Sequence, residues 1–276
     1  MHPVSTIPTA ELVARDVSEG ADASARRADP LFVQSVEKAL RVLTAFNAKR
    51  PTLSLSQLAV ATGLDKSAAQ RFTHTLQRLG YLRKDPRTKH FELTTRALQP
   101  AYHYTQSNPL IRRAMPYLLH LSQTTEEATN LSVLEDNHVV FVARFMSRHM
   151  LAANVTVGSH LPAYCTAPGL AMLSRLPQPQ LRAILEASTL RAYTAHTTWH
   201  MPDILTKIRE TEARGYAICV DEMMADDISV AAAIVDADGR PIGAVNIAVS
   251  KLRCEPDAAE HRFAPLVTST AQAISS

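Results

Sequence analysis

Lys66, Ser67, Gln70, Arg71 and His74 recur at intervals that gather them on one side of an α-helix, toward its N-terminal end. All five can donate hydrogen bonds, either to phosphate oxygens or to base edges in a DNA major groove. A solvated helix face has a similar composition, and for an isolated amphipathic helix that is the commoner meaning. Two neighbouring features weigh against it here. A second helix precedes this one across a break of only about three residues, the spacing of a helix-turn-helix. A basic hairpin follows at once, with Arg83, Lys84, Arg87 and Lys89 at exposed positions. Ser54 and Gln57, at the head of the preceding helix, complete the candidate donor set.

The elements that must hold these residues are legible in Leu53–Lys89. Ser54 caps the first helix, with Gln57 three positions on to reach back to its amide. Leu55, Leu58, Ala59 and Ala61 form that helix's apolar side, and Gly63 ends it. Asp65 caps the second helix, which runs to about Leu79 with Gly80 as terminator and Ala69, Phe72, Leu76 and Leu79 as its buried face. Tyr81–Lys84 and His90–Leu93 then flank the polar turn from Asp85 to Lys89, which reads as a wing. An earlier helix from Ser35 buries Val36, Ala39, Leu40, Leu43 and Phe46. Charge follows the same outline. Residues 31–104 carry 12 Lys and Arg against 4 acidic residues, a net of +8, while the whole chain is only +3. Positive charge concentrated on one module is the footprint of phosphate binding.

Other residues invite a catalytic reading and do not sustain it. His196 and His200 have the spacing of two zinc ligands on one helical turn, but no Glu or Cys lies nearby and Pro202 follows. Cys165 has no neighbour that would lower its pKa, so a buried apolar thiol is the better description. Asp221-Glu222 reads as a solvated loop rather than an acid–base pair. With 8 glycines in the chain, no glycine-rich phosphate loop occurs. No metal, cofactor or catalytic residue is assigned.

A length of 276 residues suits two domains. Three unpaired cysteines argue for a reducing compartment, and no apolar run is long enough to span a bilayer. A cytoplasmic protein is expected. Residues 1–30 read as a disordered tail, 31–93 as the winged domain and 94–107 as a linker helix, shortened or kinked by Pro100. Residues 108–276 form the second domain, opening with a helix over Leu110–Ser122 that Pro116 bends. Strands are expected over Asn130–Leu134, Val139–Phe145, Leu151–Val157, Tyr216–Val220, Ser229–Asp236 and Pro241–Val249. Helices are expected over Gly169–Leu176, Pro179–Ala187, Pro202–Arg214 and Glu255–Ile274, with Gly158–Pro168 a loop. This order gives an α+β domain, an antiparallel sheet with flanking helices.

The pattern LSLSQLA-x3-GLDKS-x3-RF-x3-L-x2-LGYL, with its basic hairpin and FELT, resembles the winged helix-turn-helix of the IclR family of bacterial transcription regulators. The resemblance continues over almost all of residues 31–275. Gly215-x3-Cys219-x2-Glu222-x6-Ser229-Val230-Ala231-x2-Ile234-Val235-Asp236 matches most of the family's signature. It departs at Cys219, where Asp or Ser is usual, and at Val235, where an aromatic or His is usual. The resemblance implies a GAF-like second domain that binds a small organic acid and a homodimer or homotetramer on a double-stranded operator. It also implies a cavity wall of Thr166, Ala167, Pro168, Cys219, Ser229, Asn246 and Ala248. Gly169 joins these through the helix start, whose amides can hold a carboxylate. Asn130–Leu134 and Val142–Arg148 resemble the branch that senses aromatic acids of the β-ketoadipate pathway, with Arg144 or Arg148 available to a carboxylate. Two rivals stand beside this reading: a second domain that only oligomerises, its polar residues being core packing, and an enzyme fused to a DNA-binding domain.

Overall fold

The computed structural model describes residues 29–149 and 155–275. The described part of the expected tail is residues 29–30 only, so that expectation lies almost wholly outside it. Two compact units divide near Tyr104.

The first unit contains helices α1 (Gln34–Thr44), α2 (Leu55–Thr62) and α3 (Lys66–Arg78), with strands β1 (Thr52–Leu53), β2 (Leu82–Lys84) and β3 (Phe91–Leu93). The capping chemistry sets the helix boundaries. Ser54 Oγ accepts from the Gln57 amide at 3.3 Å and Gln57 Oε1 accepts from the Ser54 amide at 2.8 Å, a reciprocal capping box. Asp65 accepts from the Ala68 amide at 2.8 Å at the head of α3. Gly63 at φ 67° and Gly80 at φ 80° make the left-handed turns that close the two helices. A single core joins Val42, Leu53, Leu58, Leu76, Leu82 and Phe91.

Several burial expectations fail in this unit. Val36 and Leu40 are more than half exposed, and on α1 only Val42 is fully buried. Ala61 is exposed while Thr62 is buried. Leu79 lies past the end of α3, where the chain turns at Gly80, and is 53% exposed. Thr73 takes the buried position instead, its hydroxyl donating to the Ala69 carbonyl at 2.8 Å. Thr52–Leu53 adds a third strand, pairing antiparallel with β3 in the order β1-β3-β2.

A short 3-10 turn at Thr95–Ala97 leads into α4 (Leu98–Ser107). Pro100 falls in the first turn of α4, where its missing amide hydrogen has no helical partner to lose, so the helix expected from Thr94 is shortened to begin at Leu98 and is not kinked. The next helix, α5 (Pro109–Thr125), is capped by Asn108, which accepts from the Ile111 amide at 3.1 Å. It runs unbroken through Pro116, longer than expected. Ile111, Ala114, Leu118 and Leu121 form its buried stripe, and Pro116 sits on the exposed side, where a freed carbonyl meets water.

The second unit is built on a six-stranded antiparallel sheet. Its strands are β4 (Ala128–Glu135), β5 (His138–Phe145), β6 (His160–Pro162), β7 (Ala217–Val220), β8 (Asp227–Val235) and β9 (Pro241–Ser250), in the order β6-β5-β4-β9-β8-β7. Of the strand expected at Leu151–Val157, residues 151–154 lie outside the described residues and 155–157 are loop and turn. The strand there is β6, inside the stretch expected as loop, and a 3-10 turn at Ala163–Cys165 follows it. Helices α6 (Ala167–Leu173), α7 (Gln178–Glu186) and α8 (Met201–Arg214) cover one face of the sheet, while α5 and α9 (Pro256–Ile274) cover the other.

Strand alternation produces this layering. Val230, Ala232 and Ile234 of β8, with Val245, Ile247 and Val249 of β9, pack on the α5/α9 side. The intervening positions, Ser229 and Ala231 on β8 and Ala244, Asn246 and Ala248 on β9, point to the opposite face. That face is smaller and more polar.

Candidate nucleic-acid interface and ligand cavity

On α3 the side chains of Lys66, Ser67, Gln70, Arg71 and His74 are all exposed. None of the five is hydrogen-bonded or ion-paired among the described residues, so their donors are available. The wing is prearranged by its first residue. Asp85 accepts from the amides of Arg87 at 2.8 Å and Thr88 at 2.7 Å, and these bonds hold its carboxyl below the usual range. Lys89 takes a left-handed φ of 61° to close the turn. Lys84, Arg87 and Lys89 are left exposed, with the Lys84 ammonium 5.1 Å from the Phe91 ring centre. Arg83 differs: its guanidinium is engaged by Glu92 across the hairpin at 2.5 Å. Ser54 and Gln57 are occupied by the capping box, although the Gln57 side-chain NH2 remains outside that bond.

The second unit encloses a cavity of about 360 Å³ against the polar face of its sheet. Thr166, Ala167, Pro168, Cys219, Ser229, Asn246 and Ala248 all reach its wall. Gly169 does not. A Cβ there would fall 2.1 Å from the Ala163 carbonyl oxygen, so this glycine serves close packing of α6 on the preceding turn. The helix-start arrangement is also weaker than expected. Thr166 spends its hydroxyl on the Pro162 carbonyl at 2.9 Å, Pro168 has no amide hydrogen, and α6 has 7 residues.

Pairing register lays polar side chains in a row across the sheet. Arg144 on β5 pairs with Asn130 on β4, and Asn130 pairs with Asn246 on β9. Asn246 donates through Nδ2 to Ser229 Oγ at 3.0 Å. Asn130 and Asn246 are 1% and 2% exposed, and the Oδ1 atom of each is buried without a hydrogen-bond partner. Arg144 Nε is likewise buried and unpartnered, and burial lowers the pKa of its guanidinium. Neighbouring ions are already committed. Arg253 pairs with Glu127 at 2.9 Å, Lys207 with Glu222, Lys251 with Asp221, and Arg148 with Glu126 at 2.9 Å. Arg148 therefore stands apart from the cavity wall. Burial pushes the Asp227 carboxyl up to about 7, against the opposing pull of Arg144.

Apolar groups complete the wall: Phe141, Val155, Leu161, Met223 and Met224. Cys165 is fully buried, 3.9 Å from the Met223 sulfur, and burial drives its thiol strongly upward; the Cys219 thiol is raised to about 11. Neither is an activated nucleophile. His196 and His200 lie exposed in the loop before α8. Asn130 and Asp227 were not singled out from the sequence. The available signal was Asn130 and Ser132 alternating with apolar residues along β4.

The chain is matched over residues 35–86 by the model of the IclR helix-turn-helix domain and over 102–276 by that of the bacterial transcriptional regulator IclR C-terminal domain. It belongs to the IclR family of bacterial transcription regulators. It is 30% identical over 245 residues to the Pca regulon regulatory protein of Pseudomonas putida, covering 88% of this chain and 84% of that protein. It is 29% identical over 245 residues to the p-hydroxybenzoate hydroxylase transcriptional activator of Acinetobacter baylyi, covering 87% and 90%. The fold is shared with an IclR homolog from Microbacterium hydrocarbonoxydans solved in complex with 4-hydroxybenzoate, with a TM-score of 0.74 and 20% identity over 87% of this chain and 97% of that one. No helix among the described residues is long and apolar enough to cross a membrane.

Proposed function

We propose that residues 31–93 form the DNA-reading domain, that 94–107 act as a linker helix, and that 108–276 form a GAF-like effector-binding and oligomerisation domain. The observation that carries this reading is the pairing of two unsatisfied surfaces in one chain: free donors on α3 and the wing, and a cavity with an unpaired, half-buried cation. Lys66, Ser67, Gln70, Arg71 and His74 enter the major groove, while Lys84, Arg87 and Lys89 hold phosphates. Arg83, Ser54 and Gln57 contribute mainly by shaping the module. The operator is a pseudo-palindrome read by a homodimer or homotetramer, because one winged domain spans too few base pairs. A cytoplasmic location accords with this role.

The effector is a small organic acid, and the aromatic class is favoured by the apolar wall and by the aromatic-acid relatives. It acts by binding two arrangements of the oligomer unequally. Selection of the full-length protein on a random DNA pool, followed by footprinting, tests the reading. Enrichment of an inverted repeat with two protected half-sites is expected. A single unrepeated half-site bound at full affinity would remove the two-fold model.

A further inference from the structure

Three sulfur-bearing side chains meet beside α6, where the turn before that helix faces the segment after β7. Cys165 ends the turn, Cys219 lies on β7 and Met223 follows it, and the three are 0%, 5% and 8% exposed. All reach the cavity wall and share one core cluster. Cys165 Sγ stands 3.9 Å from Met223 Sδ, and the Cys165 and Cys219 thiols influence each other electrostatically. Neither cysteine is in a disulfide. The backbone on both sides is held in place. Gly169 packs α6 directly on the Ala163 carbonyl, and Thr197 Oγ1 donates to the Glu222 carbonyl at 2.6 Å.

We infer that Cys165, Met223 and Cys219 form a site for one soft monovalent metal ion of the copper(I) class. This goes beyond the effector reading and does not depend on it. Bonds from sulfur to such ions run about 2.3 Å, so two ligands about 120° apart stand about 4.0 Å from each other. The Cys165–Met223 separation matches that spacing. A thioether among the ligands selects a soft ion, and no group of three His, Cys, Asp or Glu occurs among the described residues to hold a zinc(II) ion instead. Burial raises both thiols, which disfavours alkylation and oxidation by way of a thiolate; a metal ion replaces the protons directly. Both thiol protons leave to solvent. Copper(I) balances one thiolate, and the Lys207 ammonium, paired with Glu222 but within electrostatic reach of both sulfurs, opposes the charge of the second.

The test is withdrawal of copper(I) from its coloured ferrozine complex by the full-length protein, under reducing anaerobic conditions. One ion per chain is expected to transfer, and the melting temperature of the protein to rise with it, since the ion binds the folded form. Met223→Leu, which conserves core volume, and Cys165→Ala are each expected to weaken copper(I) by about tenfold or more. Cys254→Ser is expected to leave it unchanged, because Cys254 lies outside the cluster. Melting curves of the variants without metal establish that each is folded, and Met223→Leu decides the matter if Cys165→Ala is not. No withdrawal by the unmodified protein would overturn the inference. So would withdrawal that survives Met223→Leu at full strength, withdrawal lost with Cys254→Ser, or tighter binding of zinc(II) than of copper(I).

Discussion

Asp227 shows how one residue's environment becomes a measurable property of the whole unit. Its carboxyl is pushed up to about 7 from an ordinary 3.8, because burial disfavours the carboxylate more than Arg144 favours it. Between those two values the folded protein keeps a proton that the unfolded chain releases. Stability from this group is therefore complete below about pH 4 and is lost as the pH rises through 7. Asp227→Asn should raise the melting temperature of the second unit most at pH 8, with the gain shrinking as the pH falls toward 4; an equal gain at every pH would contradict the assignment. On α3, Arg71→Ala should relax base preference at one operator position, at a cost of about 1–3 kcal/mol for a lost bidentate base contact. Titration against single-base operator variants checks this, and unchanged affinity and preference would take α3 out of the groove. Much of this local chemistry was legible in the sequence. Ser54, Gln57, Gly63 and Asp65 act through neighbours three or four positions away, and local spacing reveals such partners. The Arg83–Glu92 pair, the Thr166–Pro162 bond and the exposure of Asp227 to Arg144 depend on tertiary placement, which spacing does not carry.

The wing and α6 illustrate two kinds of element. The wing's turn is fixed by Asp85 and leaves three free cations, which serve any phosphate regardless of sequence. Lys84→Ala or Arg87→Ala should weaken binding to specific and random DNA alike and reduce the salt slope by about 0.9 per lost phosphate contact. Loss of affinity confined to the specific site would assign these residues to base reading instead. In α6, Gly169→Ala should destabilise the second unit by about 1–3 kcal/mol through overpacking against the Ala163 carbonyl, visible as a lowered melting temperature. Unchanged melting would mean that the turn at Ala163–Cys165 yields freely. The elements with strong periodicity or clear turns were legible: α2, α3, the wing hairpin and the β4–β5 and β8–β9 hairpins all fall where caps and turns indicate. The short strands β1 and β6 were not, since two or three residues carry no periodic signal and exist only through their partners. Pro116 misled in α5 because the effect of a proline inside a helix depends on which face meets water.

Across the molecule, the basic excess of the first unit and the mixed charges of the second fit a division between reading DNA and sensing a ligand. The two-unit order and the antiparallel sheet were legible from composition, turn signals and family motifs together. The cavity was only partly so: the motif located seven wall positions, but the row through Asn130 and Arg144 follows from strand register, and a one-residue slip would have placed it on the other face. Coupling between the units requires that an acid bound in the second unit change the operator affinity of the first. Fluorescence anisotropy on the selected operator, titrated with full-length protein with and without saturating hydroxybenzoate, measures it directly. A shift of fivefold or more in the apparent dissociation constant is expected. Saturating acid binding, verified by calorimetry on the same sample, with an operator curve that does not move would contradict it.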